Sequence, residues 1–367
     1  EEVFDMRLLN KESVEDIAIG AAILGTGGGG DPYIGKIMAM NAIEEEGPIT
    51  LLDPSEVPDD ALIIPTAMMG APTVLVEKIP RGDEILEALR ALERRFGKKA
   101  YATISCEAGG VNSTVPLAVA ARLHIPVVDA DGMGRAFPEI QMVTFHLHGI
   151  TASPMAMADE KGNAVLIEAI DNYWVERISR AVTVVMGGSA MIALYPMTGA
   201  QVKEAAIPRT ITLAEQLGRT VREAREKKKD PIKEVLKIVN GFELFKGKIV
   251  DVQRRTVAGF ARGEARLEGI DEYKGDELII RFQNENLVAI RNGRIIASVP
   301  DLITVLEIET GLPITTEGLK YGYRAVVVGI PCHPKWRTPE GLETVGPKYF
   351  GYDIEYVPIE ERMRGYT

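Results

Sequence analysis

Eleven consecutive residues, Asp129-Ala-Asp-Gly-Met-Gly-Arg-Ala-Phe-Pro-Glu139, hold three carboxylates, one guanidinium and two glycines. They follow the apolar run Ile125-Pro126-Val127-Val128, which reads as a buried strand. Charged groups avoid interiors unless they are paired or functional. Acids and an arginine at the exit of a buried strand are therefore expected in a cleft. Paired carboxylates can divide into acid and base when their surroundings push their pKa values apart, and Arg135 is suited to clamping a carboxylate or carbonyl with two N–H groups. Asp beside glycine also caps turns, so which of Asp129, Asp131 and Glu139 does chemistry stays open at this level.

Two further loops, residues 66–72 and 106–112, also follow expected strands. Ligands of open α/β sheets bind beyond the carboxyl ends of the strands. If the strands are parallel, Glu107, Asn112, Asp129, Asp131 and Arg135 share one crevice. The run Gly25-Thr26-Gly27-Gly28-Gly29-Gly30 follows a helix rather than a strand, which argues against a dinucleotide loop. It leads into a helix start at Asp31-Pro32. Close backbone approach to a ligand, with free N–H groups holding an oxyanion, and a tight inter-helix turn are both consistent with it.

His146 and His148 sit two apart in residues 139–151, whose polar–apolar alternation predicts a strand. Both imidazoles would then face one side and hold a divalent metal such as zinc, with Asp129, Asp131 or Glu139 completing the set. Cys106 beside Glu107 lacks the electropositive setting of a nucleophile and reads as a small buried residue. His333, in the Pro- and aromatic-rich loop 330–339, is the acid/base candidate of the second half, although a packing histidine fits the same loop.

The elements that must position these groups are readable from periodicity. Helices are expected at residues 13–24, with Ser13 as N-cap, and at 31–46, 83–96 and 115–123. Strands are expected at 49–53, 61–65, 100–105 and 125–128. This alternation predicts a largely parallel α/β sheet in residues 1–170. Composition changes near Asp171. Residues 171–367 read as a β-rich domain with a helical insert at 212–239 and turns at Gly247, Gly263, Gly269, Gly275 and Asn292-Gly293.

With 367 residues, 42 basic against 53 acidic side chains and a net charge of −11, the chain has room for two cores. It is a poor match for nucleic acid or an anionic membrane. The basic run 225–229 reads as a solvated helix end. Two cysteines and the acidic start suggest a reducing, cytoplasmic setting, and no apolar run approaches the length of a membrane span.

The segments 25–35, Glu107-Ala-Gly-Gly-Val-Asn112, 129–139 and 331–341 resemble the S-methyl thiohydantoin desulfurase-like family, whose members often accompany hydantoinase/oxoprolinase-type proteins. The resemblance runs from about residue 8 to 356. It implies an α/β N-terminal domain, a β-rich C-terminal one, and a five-membered cyclic imide or thiohydantoin as substrate. It carries over no catalytic roles. The matching positions are Gly27 to Asp31, Glu107, Asn112, Asp129, Asp131, Arg135, Glu139 and His333; Cys106 and the His146/His148 pair are less typical. The expected activity is therefore a hydrolase or desulfurase in which Asp129, Asp131 or Glu107 activates water. Asn112 and the glycine loop would hold the oxyanion, Arg135 would orient substrate and His333 would shuttle a proton. A metal-dependent amidohydrolase and a non-catalytic subunit of a hydantoinase-like complex are the alternatives, and a homo-oligomer is left open.

Overall fold

Alternating strand and helix patterns in the N-terminal half fold into a mixed sheet of nine strands among the described residues. The structure, a computed structural model, describes residues 7–70, 74 and 83–364. In chain order the strands are β1 (Arg7–Leu9), β2 (Ile49–Leu52), β3 (Leu62–Gly70), β4 (Ala102–Ser105) and β5 (Val127–Val128), then β6 (Ala130–Asp131), β7 (Met155–Ala158), β8 (Ala164–Ile167), β9 (Ser189–Ala193), β10 (Met197–Thr198) and β11 (Ile207–Pro208). The order across the sheet is β1-β2-β5-β4-β3-β9-β7-β8, with β10 also on β3, while β6 and β11 pair separately.

The pairs β2–β5, β5–β4 and β4–β3 are parallel. The helices Asp83–Phe96, between β3 and β4, and Val115–Leu123, between β4 and β5, supply the helical crossovers, and Pro32–Glu46 leads into β2. All four parallel strands thus end on the same edge. The antiparallel strand β9 pairs with β3 in the register Ala67↔Ile192 and Met69↔Ala190. Chain beyond residue 170 therefore returns to the first sheet. The helices Thr210–Glu226 and Pro231–Val239 realise the expected helical insert, and the first of them packs along the helix Lys11–Leu24.

The remaining chain forms an antiparallel eight-stranded sheet built from β12 (Phe242–Val257), β13 (Phe260–Gly269), β14 (Glu277–Gln283), β15 (Glu285–Arg291), β16 (Arg294–Ser298), β17 (Leu302–Glu307), β18 (Pro313–Ile314) and β19 (Arg324–Ile330). The two-domain α/β plus β-rich architecture expected from the pattern is what the chain adopts. The first core cluster joins residues of both sheets, among them Leu51, Val128, Leu287 and Val328, so the domains share buried apolar surface.

Several local expectations differ. Residues 139–151 are not a strand: they are turns around the short helix Thr144–Leu147. Met142, Val143 and Phe145 are all buried, which a half-exposed strand would not allow. Strand β3 extends to Gly70, five residues past Pro65, because antiparallel pairing with β9 continues after the parallel ladder ends. Ala71 and Pro72 lie outside the described residues. Asn10, not Ser13, caps the first helix, accepting from the Ser13 backbone N–H. Gly247 and Gly263 lie inside β12 and β13 rather than in turns.

Candidate active site

The three loops expected to converge do meet. Asn112 Oδ1 accepts from the Met68 backbone N–H at 2.8 Å and its Nδ2 donates to Met68 O at 3.2 Å, which ties the loop after β4 to β3. The same Nδ2 donates to Glu107 Oε1 at 2.6 Å, and Glu107 Oε2 accepts from the Phe137 backbone N–H at 3.3 Å. Glu107 thus links the segment after β4 to the one after β5 and β6. The cleft at this junction has about 760 Å³ of empty space, its open mouth included. Its walls include Gly29, Gly30, Glu107, Asn112, Glu139 and Glu285.

Glu107 is buried, and desolvation pushes its carboxyl up to about 7 although bonds from Asn112 and Phe137 and the Arg135 charge hold it down. A carboxyl titrating near neutrality in a cleft is a functional-site candidate.

The second acid comes from the other sheet. Between β14 and β15 the chain turns at Asn284, which has φ +58° and whose Oδ1 accepts from the Ala261 N–H at 2.8 Å. The turn delivers Glu285 to the cleft. Burial and the Glu107 charge hold its carboxyl well above the usual range, against the pull of Arg135. Glu285 Oε2 is buried without a hydrogen-bond partner among the described residues. Nothing in the sequence reading singled out Glu285. The available signal was the polar run Gln283-Asn284-Glu285-Asn286 interrupting two apolar strand patterns.

The glycine run is the seam that lets these acids approach. A Cβ on Gly28 would stand 2.0 Å from Glu285 Oε1, and one on Gly29, at φ +74°, would stand 2.5 Å from Gly109 Cα. Backbone bonds pin the loop to both domains: Val111 N–H to Gly29 O at 2.9 Å, Asn286 N–H to Thr26 O at 2.8 Å and Thr316 N–H to Gly27 O at 2.8 Å. Gly29 and Gly30 line the cleft. Gly27 and Gly28 pack against the C-terminal sheet. Asp31 is not a lining residue; its Oδ1 caps the helix Pro32–Glu46 through the Tyr33 N–H.

Other candidates occupy structural positions. Asp129 accepts from the Thr212 backbone and hydroxyl, holding the helix Thr210–Glu226. Asp131 accepts from the N–H groups of Met133 and Gly134 at 2.9 and 2.8 Å. It is fully buried, with its carboxyl pushed up to about 7 by burial, but it does not line the cleft. Arg135 is not a substrate clamp. Its guanidinium is fully buried and donates to Ala136 O, Pro300 O, Asp301 O and Thr26 Oγ1 at 2.8–3.3 Å. Even with burial drawing its pKa down to about 10, it stays charged at neutral pH. It locks the domains together. Glu139 does line the cleft, and its Oε2 accepts from the Tyr349 hydroxyl at 2.6 Å.

His333 stands off the cleft, its Nδ1 accepting from the Lys335 N–H at 3.3 Å. The metal reading of His146 and His148 loses its basis with the strand. His146 Nδ1 meets Asn172 Nδ2 at 2.9 Å, and His148 Nδ1 lies 3.6 Å from Glu204. No group of three or more His, Cys, Asp or Glu suited to a metal occurs among the described residues. Cys106 lines the cleft, but burial and the Glu107 charge push its thiol far up, so it is a neutral wall residue.

Fold and site together define a two-domain α/β protein with an acid-lined cleft between its domains. Family models describe the two halves as S-Me-THD-like N-terminal domain, residues 12–169, and S-Me-THD-like C-terminal domain, residues 170–359. The chain belongs to this S-methyl thiohydantoin desulfurase-like family. It shares its fold with a protein from Chromobacterium violaceum solved by X-ray crystallography, at TM-score 0.82 and 24% identity over 96% of this chain and 100% of that one. No curated protein matches the chain. No helix among the described residues is long and apolar enough to cross a membrane.

Proposed function

We propose that the protein hydrolytically desulfurises a small five-membered ring of the S-methyl thiohydantoin type. The observation that carries this reading is a pair of buried carboxyls, Glu107 and Glu285, one from each domain, opening into one small cleft. Burial raises both, but Asn112, the Phe137 N–H and Arg135 hold Glu107 down while the Glu107 charge pushes Glu285 further up, the kind of asymmetry that separates a base from an acid. The family name points to the substrate class.

In this reading Glu107, held by Asn112, removes a proton from water as the water oxygen bonds to the ring carbon bearing the methylthio group. Glu285, kept protonated by burial, donates to the adjacent ring nitrogen. The C–S bond then breaks, methanethiol leaves with the proton from Glu107, and the hydroxyl on the ring carbon becomes a carbonyl as its proton returns to Glu285. The backbone at Gly30, which lines the cleft, faces the ring oxygen in this reading.

The test is turnover of S-methyl thiohydantoins by purified protein, following methanethiol and the uptake of ¹⁸O from labelled water into the ring. Glu107→Gln is expected to slow it about 10²- to 10⁴-fold, the usual range for a general base. Absence of turnover on every such ring, or a fully active Glu107→Gln, overturns the proposal.

A further inference from the structure

The cleft has two chemically different walls. One carries the acids, Asn112 and the glycine backbone. The other is a face of the N-terminal sheet: the register Ala67↔Ile192 and Met69↔Ala190 puts Ala67, Met69 and Ile192 on one side. Leu194, Ile140 and Val143 extend it, and every one of these except Ala190 lines the cleft. The backbone N–H and C=O groups of Ala67, Met69 and Ile192 face the β3–β9 ladder, the Leu194 N–H donates to Pro65 O at 3.2 Å, and the Ile140 N–H donates to Glu176 Oε2 at 3.0 Å, so these groups are already taken up.

The one basic side chain among the described lining residues, Arg180, is already committed. Its Nε donates to Glu176 Oε1 at 2.7 Å, its Nη2 to Pro138 O at 3.0 Å, and its guanidinium lies over the Phe260 ring at 4.6 Å. Glu139, and Glu107 once ionised, add negative rather than positive character.

We infer that the cleft selects rings bearing an apolar, uncharged side chain, seated on the Ala67–Met69–Ile192–Leu194 wall, and rejects rings with an acidic one. This selectivity rests on the reading of the cleft as the ring-binding site. In a five-membered ring the side-chain carbon lies across from the carbon attacked near Glu107, which directs the substituent away from the acids. Each methylene buried there strengthens transition-state binding about fourfold. An anionic side chain on the same wall loses water without gaining a partner.

The experiment compares purified full-length protein on rings carrying hydrogen, isobutyl, 2-methylthioethyl and carboxymethyl side chains. Turnover of the S-methyl thiohydantoins and calorimetric binding of the corresponding hydantoins are read separately. The expectation is that isobutyl and methylthioethyl rings exceed the unsubstituted ring by at least about tenfold in kcat/KM and in affinity, from a few buried methylenes. The carboxymethyl ring should fall below the unsubstituted one. Ala67→Val, which narrows the wall, should lower the isobutyl-to-hydrogen ratio, and Ile192→Ala should lower it by lost contact. Binding that follows this ranking without turnover supports the selectivity and overturns the desulfurase chemistry. Turnover without the ranking, or a carboxymethyl ring bound as well as the isobutyl one, overturns the selectivity and leaves the chemistry standing. No binding by any ring overturns both.

Discussion

Replacing Glu107 by Gln should make the protein more resistant to unfolding at alkaline pH, and by an amount that grows with pH. Burial moves the Glu107 carboxyl from an ordinary 4.5 up to about 7. A group whose folded pKa is raised binds protons more tightly in the folded state. Its contribution is therefore fully present below pH 4.5 and lost as the pH rises through 7. The displacement is worth about 3 kcal/mol in full, of which about 2 kcal/mol falls between pH 5.5 and 8. Glutamine has no charge to bury, so the variant lacks this slope. Its amide meets the Phe137 N–H less well than a carboxylate does, but that cost is the same at every pH and cancels in the comparison. For a chain of this length about 2 kcal/mol corresponds to about 3 °C in Tm. Thermal unfolding of both proteins at pH 5.5, 6.5, 7.5 and 8 gives the difference curve. A Tm difference that rises by about 3 °C toward pH 8 is expected, with most of the rise complete by pH 7. A flat difference means that Glu107 is not held in a desolvated site, and the assignment of the base fails with it. Activity should run the other way, with kcat/KM rising through pH 7 as the base ionises.

Gly28→Ala should remove most activity, because the added Cβ stands 2.0 Å from Glu285 Oε1; retained turnover with an unchanged pH profile would show Glu285 to be dispensable. Arg135→Met strands four buried acceptors and should cost about 3–5 kcal/mol, as for breaking a buried charged network, read by urea unfolding. Asp131→Asn should keep activity within a few-fold, because an amide oxygen can still accept from Met133 and Gly134. A loss on the scale of Glu107→Gln would return Asp131 to the catalytic set.

The meeting of the loops around Glu107 and Asn112 was legible because it follows from parallel strands ending on one edge, and strand–helix alternation betrays parallel strands. The role of Arg135 was not. A guanidinium at a strand exit suggests a wet cleft, yet its acceptors, Pro300 O and Asp301 O, come from 165 and 166 residues further on. No local pattern announces that pairing. Glu285 was hidden for a related reason: the turn at Asn284 uses neither Gly nor Pro, and its reach into the cleft depends on how one sheet docks on another. His146 and His148 misled because alternation over residues 139–151 mimics a strand where burial on all sides actually governs the packing.

The division of the acid pair between two domains has a consequence for how the site comes into being. Neither domain alone holds both carboxyls, and part of what displaces Glu285 is the charge of Glu107 across the seam. Docking the sheets therefore does more than close a cavity: it turns two ordinary carboxylic acids into an unequal couple. In the proposed reaction, reactivity would be a property of assembly, absent from either half of the folding chain and present only once the glycine seam has brought both acids together.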